Sequence, residues 1–152
     1  MSKLKIDQSE IVHALKRDVD FEAYPQSVFL DSETGDILWV YDNDEDATES
    51  GISPENNRTD RERIESDPSR FIELEGRTHP EQHEILNGFL DSEWTDDEEL
   101  SAEAQAAYRN SVGGWLRHVD ENTRHVYEGF RHSQMVRIAE ELLHRHGIEP
   151  IW

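Results

Sequence analysis

The chain has 152 residues, 33% of them charged, a formal net charge of −20 and no cysteine. That length suits one domain with a buried core, its 9% of Phe, Trp and Tyr argues against a disordered chain, and the missing Cys excludes disulfides and thiolate chemistry. With no apolar run near about 18 residues and no apolar signal core in Met1–Asp7, neither a membrane span nor a leader is expected, and the cytoplasm is the default location.

In chain order, Asp7 or Ser9 caps a short helix whose Ile11, Val12 and Leu15 recur at helical spacing, and Pro25 ends that unit. Ser27–Asp31 and Asp36–Tyr41 read as two strands of a hairpin. Ser32–Gly35 forms its turn, and Gly35 supplies a positive φ. The second strand is almost continuously apolar, so both of its faces are expected to be covered.

From Asp42 to Ser69 the chain is acidic, carries two Pro and has almost no large apolar residue. This stretch, 42–69, is expected to be a mobile acidic loop with at most a short helix near Arg61–Ile64, and to contribute little to stability. Its Asp42-Asn43-Asp44-Glu45-Asp46 run lacks the Gly and Glu register of a calcium loop, so it predicts no metal. Arg70–Glu75 suits a third strand.

Thr78-His79-Pro80-Glu81 is a capping box with Pro in the first turn, opening a helix through Ile85, Leu86, Phe89 and Leu90. His79 and His83 stand at i and i+4 and are weak metal candidates. The capping role already explains the stretch, and a metal needs a third ligand. Trp94 and the acids of 96–99 link to a helix that starts at Ser101–Ala104. Its apolar face runs Tyr108, Val112, Trp115, Leu116, Val119, with Gly113-Gly114 inside it. The last helix is predicted from Asp120–Thr123 to a Gly147 C-cap, with Tyr127, Phe130, Met135, Ile138, Ala139 and Leu142 on one face.

Within this third of the chain Arg-His recurs every seven residues, as Arg117-His118, Arg124-His125 and Arg131-His132. Seven residues bring a helix back to within about 20° of the same face. The six residues are the candidate binding site. Arg131 falls inside the apolar face, so a carboxylate is expected to meet it in an ion pair that fastens helix to sheet, with a ligand or partner anion as the alternative.

The order of these elements resembles a family of small, acidic, uncharacterised bacterial proteins. The signs are Phe29-Leu30-Asp31-Ser32-Glu33-Thr34-Gly35, Phe71-Ile72-Glu73-Leu74 and Ile85-Leu86-Asn87-Gly88-Phe89-Leu90. They continue in Gly113-Gly114-Trp115-Leu116-Arg117-His118, Tyr127-x-x-Phe130-Arg131 and Ala139 to Ile148. The resemblance covers most of the chain except 42–69. It departs where the family has Gly-Ala-Phe, two basic residues, Phe and Lys; Leu116, His118 and Val119 stand at the later positions here. It implies the architecture and carries no established activity.

The expected fold is α+β: a small antiparallel sheet of about three strands covered by about four helices, in one domain. Arg109–Trp152 holds six Arg and six acids, so the whole acid excess lies before Arg109. Such a surface suits a protein partner, a basic one above all, and makes nucleic acid a poor one, because phosphate neutralisation leads that binding. A salt-adapted proteome would show the same excess, with three Lys against twelve Arg. There is no phosphate loop, nucleophile motif or convincing metal set, and no cofactor is expected. The leading expectation is an acidic, non-enzymatic interaction protein acting as regulator, adaptor or inhibitor. The alternatives are an anion-binding module or enzyme built on the Arg-His residues, and nucleic-acid binding along the same ridge.

Overall fold

The structure, a computed structural model, describes residues 1–19, 26–91 and 112–152. The expected break at Pro25, the acidic link at Trp94 and 96–99, and the helix start at 101–104 with Tyr108 lie outside the described residues.

The architecture is α+β. Asp7 caps α1 (Gln8–Leu15) by accepting from the Glu10 N–H, and Ile11, Val12, Ala14 and Leu15 are buried. The hairpin follows as β2 (Gln26–Asp31) and β3 (Ile37–Tyr41), joined through Gly35 at φ 82°. A Cβ at Gly35 would strike the Lys5 carbonyl oxygen, so the turn needs glycine both for its dihedral and for this approach. β4 (Phe71–Glu73) pairs antiparallel with β2, giving a three-stranded sheet in the order β3-β2-β4.

A second pairing escapes the sequence reading. β1 (Ser2–Lys5) and β5 (Ile148–Ile151) form a two-stranded parallel sheet, with Ser2 opposite Ile148. Neither strand announces itself, since β1 carries a single half-buried apolar side chain, Leu4, and β5 contains Pro150.

The segment 42–69 is also corrected. It forms α2 (Asp44–Glu49), α3 (Pro54–Ser66) and a 3-10 turn at Pro68–Arg70, in place of a loop. Asn43 and Ser53 accept from the N–H groups of Asp46 and Asn56, and Pro54 sits in the first turn of α3, a pattern that starts helices without an apolar face. Only Ala47 and Asn57 of these two helices are buried, which is why apolar periodicity misses them. Cross-strand pairing places Leu38 and Val40 on the face of β3 opposite Trp39 and Ile37. α3 packs on one face of β3; on the other, Glu10 and His13 of α1 reach Trp39, which with Ile37 stays half-buried, so the cover expected on both faces is only partial on this one.

α4 (His79–Leu90) opens on the expected capping box, Thr78 and Glu81 bonding reciprocally. α5 (Val112–His118) ends before Asp120, the N-cap of α6 (Glu121–Arg145), and Gly147 turns the chain into β5 at φ 72°. α6 spans about 37 Å and joins two cores. Its later half packs Met135, Ala139 and Leu143 with Ile11, Leu15, Val28, Leu30 and Leu74. Its earlier half places Tyr127 among Phe89, Trp115 and Leu86. In that cluster Tyr127 meets Phe89 at 5.3 Å and Trp115 at 5.2 Å, both edge-on, the arrangement favoured by ring quadrupoles.

Candidate functional site

The three Arg-His pairs do not form one equivalent row. Arg117 and His118 end α5, while Arg124, His125, Arg131 and His132 lie on α6. Arg117, His118, Arg124, His125 and His132 are exposed, and Arg131 is half-buried. Arg124 is committed: its Nε and one terminal nitrogen donate to the Leu116 carbonyl at 3.1 and 2.9 Å, satisfying an end group of α5.

Arg131 is also committed, but not as the sequence reading expects. One of its nitrogens lies 2.9 and 2.7 Å from the two Glu128 oxygens, and its guanidinium sits 5.7 Å above the Tyr127 ring. The partner is a neighbour three residues back on the same helix, so the pair does not fasten helix to sheet. Arg124 and His125 line an open depression of about 870 Å³, but Asp120, Glu121 and Glu128 line it with them, so cations alone do not converge there. Burial pushes the Tyr127 hydroxyl up to about 12, partly opposed by the Arg131 charge.

The His79 and His83 rings lie with centroids 4.1 Å apart, tilted at 55° to each other. Burial, and then the neighbouring His79, hold the His83 imidazole below its ordinary value. No cluster of three or more His, Cys, Asp or Glu with metal-ligand geometry occurs among the described residues. Nor is any helix of the described residues long and apolar enough to cross a membrane.

Two polar constellations lie outside the Arg-His residues. The first centres on Asp31, fully buried at the hairpin turn. Arg70 donates to both of its oxygens at 2.8 and 2.7 Å, Arg63 of α3 donates at 3.2 Å, and the Glu33 N–H donates at 2.9 Å. The Arg70 guanidinium is the chief reason the Asp31 carboxyl is held far below the usual carboxylate range, against the opposing effect of burial. Every strong donor here comes from the protein, so the cluster locks α3 and the 3-10 turn to the sheet. Sequence could have raised it, since Asp31 ends an apolar strand at the first position of a turn, where Asp commonly bonds the backbone ahead.

The second surrounds Trp39. Its indole N–H donates to Glu10 at 3.2 Å, the His13 ring lies at 5.5 Å, and the Arg17 guanidinium sits 5.5 Å from the ring centre. These groups line an open depression of about 610 Å³ beside Tyr41 and Ile52. Arg17 also donates to the Ala14 and Leu74 carbonyls at 2.8 and 2.7 Å, so it is part of the frame. No sequence motif marks this place, because α1 and β3 meet only in the fold.

Part of the acid excess lies at α2. Asp42, Asp44, Glu45 and Glu49 are exposed on and before α2, and no ion pair to any of them occurs among the described residues. α2 is held in place through α3, whose Asn57 and Arg63 are tied to β3 and Asp31.

Compared with protein-family models, curated proteins and solved structures, the chain matches none.

Proposed function

We propose that this is an acidic, non-enzymatic interaction protein that binds a basic protein partner, as a regulator, adaptor or inhibitor. The observation that carries the reading is the uncompensated acidic face of α2, ordered on the sheet. Exposed like charges in a fixed arrangement steer an oppositely charged partner and set which partners are rejected. The Arg-His residues support an anion-binding reading less well, because Arg124 and Arg131 are already used by Leu116 and Glu128. We further infer kinship with the small acidic family resembled above, on the order of hairpin, third strand, Gly-aromatic helix and closing helix; this kinship carries no activity with it.

The test is capture of the tagged protein from its own host at moderate salt, read by protein identification and by native mass spectrometry. A basic protein at stoichiometric level is the expected result. A small anion bound to the Arg-His face, with no protein, would replace this reading with the anion-binding one.

A further inference from the structure

Among the described residues β3 is an outer strand, paired with β2 on one side only. Along an antiparallel strand, successive residues direct their N–H and C=O groups alternately to the two edges. The Leu74 N–H donates to the Val28 carbonyl at 2.8 Å, so Val28 directs its backbone toward β4. Trp39 stands opposite Val28, and Ile37 opposite Leu30, so both turn their backbone groups away from β2. Tyr41 has the same parity, and its outward groups are occupied. Its N–H donates to the Asn57 side-chain oxygen at 2.8 Å, and the Asn57 amide donates to its carbonyl at 3.0 Å. Asn57 does at one position what an added strand would do along the whole edge. Two residues back, no described residue takes the Trp39 N–H or carbonyl.

The ground on either side of that edge fits the alternate side chains of an extended segment. Toward α1 lies the depression with Glu10, His13 and the Trp39 and Tyr41 rings. Toward α3 lies another of about 350 Å³, lined by Ile37, Leu38, Asn56, Thr59 and Asp60. Ile52 lines both. Charge selects the occupant. Exposed Asp36 and Asp42 bracket β3, and Asp60 meets Arg63 only at 3.6 Å. A second copy of this chain would bring another −20 to the same edge, so self-pairing is disfavoured.

We propose that the β3 edge takes up an extended segment of a basic protein by strand addition, pairing with the backbone at Ile37 and Trp39. Its apolar side chains fall on the Trp39 and Tyr41 rings and its Lys or Arg side chains beside Asp60. The inference rests on the reading of a basic protein partner and names how that partner docks.

The probe is a short peptide of alternating valine and lysine, added to the full chain. Amide exchange at Trp39 and Ile37 slows at least about tenfold on saturation, since a new ladder bond forms there. Both Trp39→Pro and Trp39→Val lose the indole and its bond to Glu10, but on the backbone Trp39→Pro removes an outward N–H, which edge strands tolerate, whereas Trp39→Val keeps it. With Leu38 amide protection confirming the hairpin in both, the Pro variant binds the peptide at least about tenfold more weakly than the Val variant. Unchanged exchange at Trp39 with the peptide bound, or equal binding by the two variants, overturns strand addition. A host partner captured equally by the wild type and Trp39→Pro also overturns it and leaves the acidic-interaction reading standing. Protection of Trp39 without any basic partner in the host keeps the edge and overturns that reading.

Discussion

Asn57 meets Tyr41 as a neighbouring strand would, accepting from its N–H at 2.8 Å and donating to its carbonyl at 3.0 Å. Both residues are buried, so no solvent can replace these bonds. Through this contact a helix with almost no apolar face is fixed to the outer strand of the sheet.

Replacing Asn57 with Leu therefore removes two bonds and leaves two buried backbone groups unpaired. Urea unfolding is expected to show a loss of about 3 kcal/mol, at the rate of about 1–3 kcal/mol for each orphaned group. A loss below about 0.5 kcal/mol would mean that α3 is not held by this contact.

Asp31 gives the fold an acid limit. Its pKa is depressed in the folded state, so its stabilising contribution is complete above the ordinary carboxylate value of 3.8 and is lost as pH falls toward the folded value. Asp31→Asn is expected to destabilise by about 2–3 kcal/mol at neutral pH, less than a fully buried pair because Arg63 and Arg70 are partly exposed. The gap between variant and wild type should narrow in melts taken below about pH 4. A gap that is constant with pH would show that the carboxylate charge is not what holds the cluster.

The heptad arginines should differ little from each other. Arg131 pairs with a Glu128 that is 39% exposed, and Arg124 lies on the surface, so each Ala variant is expected to lose no more than about 1 kcal/mol. Loss of about 3 kcal/mol or more at Arg131 would restore a buried partner that the geometry does not show.

How far the sequence could be read follows from where each signal resides. Asp7, Gly35, the Thr78–Glu81 box, Asp120 and Gly147 are local signals; each sets its own turn or cap, and each marks the boundary it predicts. The β1–β5 pairing depends on a contact between Ser2 and Ile148, and nothing near either residue encodes it. The polar helices α2 and α3 carry caps at Asn43 and Ser53 that were open to reading, but composition outweighed them. Helical spacing puts Arg131 inside the apolar face, where it is half-buried, but spacing alone does not choose between Glu128 and an acid elsewhere in the fold. The Trp39 depression has no local signature, because Glu10, His13 and Ile52 arrive from separate elements.

Salt tests the electrostatic side. At −20 the chain repels itself, and the exposed acids of α2 lack ion-pair partners among the described residues. The melting temperature should rise from low salt to about 1 M NaCl, where the Debye length falls to about 3 Å. A falling curve would mean that attractive pairs outweigh the repulsion.

The central claim is that the α2 acidic face recruits a basic protein, and the most direct measurement is capture by a charge-reversed variant. Asp44, Glu45 and Glu49 are exposed, so replacing all three with Lys should leave the fold intact, with a cost of about 1 kcal/mol or less for each of the two in the first turn of α2, offset by relief of the net charge. The account predicts that the basic partner is retained by the wild type and lost by this variant at about 0.15 M salt. Undiminished capture of that partner by a folded, charge-reversed protein would contradict it.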